Sequence, residues 1–240
     1  MVKFLVFQHI DCEHPGVFRD FLAADGIQWE AVELDAGEPI PALQGYDALW
    51  VMGGPMDVWE EAEHPWLVAE KAAIREAVVE RGLPYLGLCL GHQLLAEALG
   101  GEVGPAAEAE IGILPVEISA AGGASPFLRG LPASLESLQW HSAEVLRAPA
   151  QARVLMHSPA CAVQALSFGE HAFSVQFHLE LTAGTVRDWG RVPAYRQALE
   201  RSLGSAALAS LDAAAAQRMA DFNTNARRLY DNWMASACGR

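Results

Sequence analysis

The stretch Leu83-Pro84-Tyr85-Leu86-Gly87-Leu88-Cys89-Leu90-Gly91-His92-Gln93-Leu94-Leu95 decides how the chain is read. A short apolar run of strand character ends in Gly87-Leu88-Cys89-Leu90-Gly91, and a helical pattern then runs to the paired stop Gly100-Gly101. Strand, glycine-flanked turn and helix is the geometry of a nucleophile elbow. Small residues two before and two after the middle position let the backbone bend while the middle side chain stands exposed. Here that side chain is the Cys89 thiol, at a helix N-terminus whose N–H groups and dipole favour the nucleophilic thiolate. The bland alternative is a buried cysteine beside a glycine turn.

Outward from this stretch the chain alternates strands and helices. Met1 to Gln8 reads as a first strand, and Val17, Phe18, Phe21 and Leu22 give helical spacing up to Asp25-Gly26. Ile27 to Leu34 is a second strand, residues 35–45 a loop, and Asp47 to Met52 a buried strand running into Gly53-Gly54-Pro55. A helix is expected from His64-Pro65 to the stop at Gly82. This spacing indicates a parallel sheet with crossover helices. In the second half, Ile113–Ser119, Leu135–Trp140, Arg153–Met156, Cys161–Leu166 and Ala172–Phe177 read as strands, with a small, flexible segment at Ala120–Pro126 and an antiparallel portion of sheet. Thr182 is expected to cap a helix through Trp189, and Pro193 to open another that closes near Gly204. Leu208, Leu211, Ala215, Met219, Phe222, Ala226, Leu229 and Trp233 then mark a long amphipathic helix, docked on the domain or on another subunit. The fold class is therefore α/β: an open, mostly parallel sheet flanked by helices, with an antiparallel portion and a C-terminal helical extension. The expected units are residues 1–182 and 183–240.

Composition narrows the function classes. Hydrophobic residues make up 52% of 240 residues, enough for a large core, and no apolar run reaches the length of a membrane span. The net charge of −14 argues against nucleic acid or an anionic membrane as partner. The start of the chain has no basic, apolar and cleavage segments in succession, and the four cysteines are scattered without pairing. A cytoplasmic protein with reduced thiols is expected. His9, Cys12 and His14 match no zinc pattern and read as loop residues, so no metal and no cofactor is expected. Cys161 and Cys238 read as inert, and His157 and His171 have no companions in sequence.

A cysteine nucleophile needs a base, a group to orient the base, and donors for the developing oxyanion. His178 follows a strand-like run with Glu180 two residues on, and residues i and i+2 of an extended segment point to one side. Gly53-Gly54-Pro55 at a strand end is a tight turn first and an oxyanion site second, with the N–H groups of Gly54 and Leu90 as the donor pair.

Taken together and in order, Gly53-Gly54-Pro55, Gly87-Leu88-Cys89-Leu90-Gly91-His92-Gln93 and Gln176-Phe177-His178-Leu179-Glu180 resemble the class I glutamine amidotransferase family, over roughly residues 1–182. Gly-Gly-Pro-Met-Asp-Val, Glu110-Ile111-Gly112 and Gln139-Trp140-His141-Ser142 look most like the freestanding branch related to the amidotransferase domain of GMP synthase. The resemblance implies a flavodoxin-like amidotransferase fold. It also implies that Cys89 attacks the γ-carboxamide of glutamine, giving a γ-glutamyl thioester and ammonia, while His178 relays protons under the orientation of Glu180. Gln93 corresponds to a substrate-binding glutamine, and His141 and Ser142 to contacts with the α-amino and carboxylate end. His92 matches the motif, with packing or capping as an equal alternative. The family usually has proline where this chain has Leu179, which is expected to loosen that turn slightly.

No phosphate-binding Gly-rich Lys-Ser/Thr loop is present for a synthase site. Either a separate synthase subunit takes the ammonia, or the enzyme is a freestanding hydrolase of γ-glutamyl peptides or amines. An oligomer through the C-terminal helix is a further expectation. The rivals are a non-catalytic binding or regulatory module on the same scaffold and a redox-sensing cysteine protein. Neither has a need for a thiol, imidazole and carboxylate in register.

Overall fold

The computed structural model describes residues 2–239; Met1 and Arg240, the ends of the expected first strand and of the expected units, lie outside the described residues. Nine strands form one mixed sheet: β1 (Lys3–Gln8), β2 (Gln28–Glu33), β3 (Ala48–Val51), β4 (Tyr85–Leu88), β5 (Glu102–Ile118), β6 (Ser134–Arg147), β7 (Ala152–His157), β8 (Ala165–Phe168) and β9 (Ala172–Val175). Their order is β2-β1-β3-β4-β9-β8-β7-β5-β6. The first four pairings in that order are parallel and the last four antiparallel. Parallel neighbours need crossover segments such as the one carrying α1 between β1 and β2, whereas antiparallel neighbours such as β8 and β9 need only a short turn.

Helix α1 (Phe18–Ala24) buries Phe18 and Leu22, and α2 (Trp66–Arg75) buries Leu67, Glu70 and Ile74 before ending in a π-helical turn over Glu76–Glu80. Helix α3 (Leu90–Ala98) follows the quoted elbow, and seven of its residues are buried, among them His92 and Gln93. One apolar face of the sheet contributes Phe4, Val6, Trp50, Leu86 and Phe173 to a core. The other contributes Leu5, Phe7, Leu49, Val51 and Leu166 to a second core beneath α2 and α3. Alternate residues of one strand serve opposite faces, as the pleat requires.

Three short helices differ from or refine the sequence reading. Ala120–Gly123 forms a helical turn, α4, because Ser119 Oγ accepts from Gly122 N at 3.0 Å. Helix α5 (Thr185–Trp189) starts from Gly184; Thr182 is not its cap, since the Thr182 N–H instead donates to Thr185 Oγ1 at 2.9 Å. Helix α6 (Pro193–Leu203) opens at proline and ends at Gly204, where φ is +89°. Strand β5 begins at Glu102, well before the expected Ile113, and carries a register shift between Pro105 and Glu110 that hides it from a periodicity reading. Strand β6 runs on through His141 and Ser142.

Helix α7 (Ala207–Ala237) lies with its apolar stripe on the sheet of the same chain. Leu211, Ala215, Phe222, Ala226, Leu229 and Trp233 of the expected stripe are buried. Trp233 packs edge-on against Phe4 and Trp50, and its indole N–H donates to Tyr85 O at 2.8 Å. Tyr230 donates to Asp25 at 2.7 Å. Among the described residues no helix is long and apolar enough to cross a membrane.

His92 pins α3 to the sheet. Its Nε2 lies 3.1 Å from Val163 O and its Nδ1 2.9 Å from Ser174 Oγ. A carbonyl only accepts, so Nε2 carries the proton and Nδ1 accepts from the serine. Burial pushes the imidazole down from 6.5 to about 3. The folded-state value lies below the unfolded one, so protonation favours the unfolded chain. The stability contribution is complete above about pH 6.5 and is lost as pH falls toward 3. Between pH 7.5 and pH 5 the loss amounts to about 2 kcal/mol. His92→Gln keeps a donor for Val163 and removes the titration. Urea midpoints at the two pH values are therefore expected to fall more in the wild type than in the variant; an equal fall would show that His92 does not titrate on unfolding.

Candidate active site

The parallel strands all end on the same edge of the sheet, which is where open α/β sheets gather their ligand-binding loops. Beyond β1 lie His9 and Glu13, beyond β3 Gly53-Gly54-Pro55, beyond β4 Cys89, and beyond β9 Gln176 and His178. Chain order scatters these residues; strand order makes neighbours of them.

Cys89 stands between β4 and α3 with φ +50° and ψ −103°, the only positive φ at a non-glycine among the described residues. Such a conformation costs roughly 1–3 kcal/mol and persists only where its surroundings over-determine it. They do so here. Cys89 N donates to Val175 O at 2.9 Å, and Gly91 N donates to Met52 O at 3.1 Å. Tyr85 donates its phenol to Gly91 O at 2.7 Å. A Cβ on Gly91 would meet Val51 O at 2.1 Å, and one on Gly87 would meet Gly91 O at 2.6 Å. The two glycines of the motif thus give close approach between α3 and the neighbouring strands, not left-handed backbone. Leu90 is the first residue of α3, so its N–H has no intrahelical acceptor. Gly54 lies against it, since a Cβ there would sit 2.9 Å from Leu90 Cδ2.

His178 is held by a bridge to Leu138, with paired backbone bonds of 2.9 and 3.1 Å. Its Nδ1 lies 2.6 Å from Glu180 Oε1, so the i, i+2 reading of that segment holds geometrically. Burial alone pushes the imidazole down, but the Glu180 carboxylate and a hydrogen bond with the Cys89 thiol raise it well above the ordinary histidine range. Trp189 packs edge-on against the ring at 4.6 Å. The other thiols are in different surroundings. Burial pushes Cys12 up to about 12, and Cys161 up as well.

The Leu179 N–H, which proline would lack, donates to Glu180 Oε2 at 3.0 Å. Leucine therefore adds a donor to the carboxylate that orients His178, where the sequence suggested only a looser turn.

Gln93 donates to Ala143 O at 3.1 Å and to Gln176 Oε1 at 3.0 Å, and Gln176 Nε2 lies 3.5 Å from Cys89 Sγ. The sequence reading passed over Gln176 as a site residue, although it lies two residues before His178 in a quoted motif. It equally missed Glu13 and Tyr195, whose carboxylate and phenol meet at 2.6 Å in the interior. Glu110 pairs with His141 across β5 and β6, so two motifs far apart in sequence adjoin. His141 Nδ1 donates to Ala143 O at 2.9 Å and its Nε2 lies 3.2 Å from Glu110 Oε2. Both ring nitrogens thus face internal partners, while Ser142 is exposed. Glu110 also accepts from Ser158 and Gln164, each at 2.7 Å. Burial pushes the Glu110 carboxyl up, but His141 first, and then the Ser158 and Gln164 bonds, hold it below the usual range.

A cleft of about 200 Å³ opens over Cys89, with Gly54, Gln93, His141, Ser142 and Tyr195 among its lining residues. That is smaller than the ~300–1,000 Å³ of drug-sized ligand pockets, and suits an amino-acid side chain better than a nucleotide. Among the described residues no group of three or more His, Cys, Asp or Glu is placed to hold a metal ion.

The raised imidazole has a consequence in pH. The protonated form of His178 persists above the usual histidine range, and removing the Glu180 charge lowers that limit. Glu180→Gln is expected to move the alkaline limb for Cys89 alkylation to lower pH. Leu179→Pro, which deletes one hydrogen bond to the carboxylate, should move the limb in the same direction by less and cut the rate about 2- to 10-fold. Leu179→Ala retains the N–H and should match the wild type. Alkylation rates across pH check all three, and a limb unmoved in Glu180→Gln would remove the electrostatic account.

Residues 17–188 match the family described as glutamine amidotransferase class-I. The chain is 39% identical over 152 residues to the glutamine-hydrolyzing GMP synthase of Aeropyrum pernix, covering 63% of this chain but only 27% of that protein. It is 36% identical to a protein of Sulfurisphaera tokodaii named as one subunit of the glutamine-hydrolyzing GMP synthase, over 63% of this chain and 76% of that protein. Gamma-glutamyl peptidase 3 of Arabidopsis thaliana is 30% identical over 68% of this chain and 67% of its own. Among solved structures, a glutamine amidotransferase from Thermotoga maritima superimposes with a TM-score of 0.85 at 28% identity, covering 97% of each chain. The nine-stranded sheet with flanking helices and a C-terminal helix is thus the flavodoxin-like amidotransferase fold, and the chain belongs to the class I glutamine amidotransferase family.

Proposed function

We propose that the chain hydrolyses a γ-glutamyl amide bond through Cys89, in the simplest case converting glutamine to glutamate and ammonia. The observation that carries this reading is the strained Cys89 backbone, set beside an imidazole whose other nitrogen lies 2.6 Å from a carboxylate. The thiolate adds to the carbonyl carbon of the γ-carboxamide, and the π pair moves onto oxygen, which the N–H groups of Gly54 and Leu90 receive. Collapse re-forms the carbonyl and breaks the C–N bond as the His178 imidazolium gives its proton to nitrogen. Ammonia departs and a γ-glutamyl thioester remains on Cys89. Water then attacks the thioester, losing its proton to His178, and glutamate is released with the thiolate restored. Glu180 holds the imidazole in register throughout. Gln176 donates toward the sulfur, and Gln93 fixes Gln176. Gln93, His141 and Ser142 line the cleft on the side where the rest of the glutamyl group is received.

Residues 1–182 supply this machinery. Beyond them, Ala194, Tyr195 and Ala198 of α6 wall the cleft and lie outside the residues that match the family. That wall, with the likeness to a protein named a gamma-glutamyl peptidase, favours a freestanding hydrolase of γ-glutamyl peptides or amines as the second reading. The likeness to a protein named as one part of a synthase supports a separate synthase partner as the acceptor of ammonia. We place the chain in a reducing cytoplasm, where thiols such as Cys12, Cys89 and Cys161 stay reduced.

The test combines labelling with turnover. An electrophilic glutamine analogue is expected to form one adduct, on Cys89. Cys89→Ala should abolish release of glutamate from both glutamine and a γ-glutamyl dipeptide, and the ratio of the two wild-type rates chooses between the substrate classes. Labelling at Cys12, Cys161 or Cys238 instead, or turnover that survives the substitution, would falsify the mechanism.

A further inference from the structure

His9 closes β1 and has no solvent exposure. Its Nδ1 lies 2.7 Å from Gly53 O, and because a carbonyl oxygen only accepts, that nitrogen carries a proton. Its Nε2 lies 2.8 Å from Glu70 Oε1, and both side chains are fully buried. The ring also stacks on Trp66, with centroids 5.5 Å apart and planes at 21°. A histidine read from sequence as a loop residue is therefore clamped through both nitrogens and one face.

The partner it holds is half of one peptide group. Gly53 C=O and Gly54 N–H belong to the same planar unit, and among the described residues no peptide is cis, so the two point in opposite directions. Drawing the carbonyl back toward buried His9 turns the N–H away from it, and on that side Gly54 lines the cleft with Cys89. Two successive glycines have no side chains to resist rotation of the peptide between them. A side chain at either position would crowd its neighbours: a Cβ on Gly53 would meet Glu13 Oε2 at 2.5 Å, and one on Gly54 would meet Met56 Sδ at 2.7 Å and His9 Cβ at 2.9 Å. Glycine suits the turn, and its orientation then comes from a neighbour.

We propose that His9, backed by Glu70, is a positioning residue of the oxyanion hole, locking the Gly53–Gly54 peptide so that the Gly54 N–H is aimed at the oxygen that gains charge when Cys89 attacks. This inference rests on the hydrolase reading above. Burial works against protonation of the ring, and the Glu70 carboxylate overcomes it, leaving His9 above its ordinary range. The imidazolium makes the bond to Gly53 O charge-assisted and therefore stiffer. It also draws electron density through the peptide, making the Gly54 N–H a better donor.

The experiment compares His9→Phe, which keeps ring bulk without a donor, with His9→Asn, whose amide nitrogen can replace Nδ1. Three quantities are measured. The first is kcat and KM for glutamine hydrolysis. The second is inhibition by the open-chain γ-aldehyde of glutamate, which adds Cys89 to form a hemithioacetal whose oxygen occupies the hole. The third is the rate of Cys89 alkylation by iodoacetamide, a displacement at saturated carbon that develops no oxyanion. For His9→Phe, kcat is expected to fall by roughly 10²- to 10³-fold, the scale of one lost oxyanion donor. KM should change little, aldehyde affinity should fall in parallel with kcat, and the alkylation rate should stay near the wild-type value. His9→Asn should recover most of the loss. Wild-type kcat and aldehyde affinity in His9→Phe, alkylation lost in step with kcat, or no recovery in His9→Asn would each overturn the lock. A wild type that turns over no γ-glutamyl compound yet binds the aldehyde at Cys89 would overturn the hydrolase reading instead, and the aldehyde affinities of the variants would still decide the lock.

Discussion

The structure depends on one strained residue. Cys89 occupies a backbone conformation that L side chains rarely adopt, and the surrounding contacts hold it there. The carbonyl of Val175 at the end of β9 takes its N–H, that of Met52 beyond β3 takes the N–H of Gly91, and the phenol of Tyr85 reaches back to Gly91 O. The same strands that impose the turn therefore also bring to it the loops carrying Gly54 and His178. A weaker sheet here would relax the turn and separate the groups together; the elbow follows β4, an interior strand flanked by β3 and β9, rather than an edge strand.

Burial then sorts the histidines by what faces them. His92 meets a serine and a carbonyl, with no carboxylate in reach, and desolvation keeps it neutral. His178 and His9 each meet a carboxylate at hydrogen-bond distance, and attraction to that charge outweighs the same desolvation. These three buried imidazoles thus have two electrostatic characters, set chiefly by whether a carboxylate bonds to the ring. Of the three, His178 lies next to the Cys89 thiol and His9 behind the glycine turn.

The C-terminal helices tie the site to the rest of the chain. Trp140 donates its indole N–H to Tyr195 O at 3.1 Å, Tyr195 donates to Glu13, and Trp189 packs on His178. Helix α7 covers the sheet face below through Trp233 and Tyr230. The apolar stripe visible in the sequence is thus occupied within the chain.

The elbow, the alternation of strands and helices, the amphipathic stripe of α7 and the pairing of His178 with Glu180 were legible in sequence, because each is a local pattern: a glycine spacing, a period, or an i, i+2 offset in extended backbone. What depended on contacts distant in sequence was not legible. The roles of His9, Glu13, Gln176 and Tyr195, the meeting of Glu110 with His141, and the extra donor that Leu179 offers Glu180 all required the fold. A lone histidine after a strand carries the same letters whether it faces water or a buried carboxylate. In this chain the residue that settles the matter, Glu70, lies 61 positions away. Sequence by itself determined which side chains were available and how each segment would coil. Only the packed sheet decided which of them met, because hydrogen bonds, burial and shifted proton affinities are set by distance in space, and strand order here is not chain order.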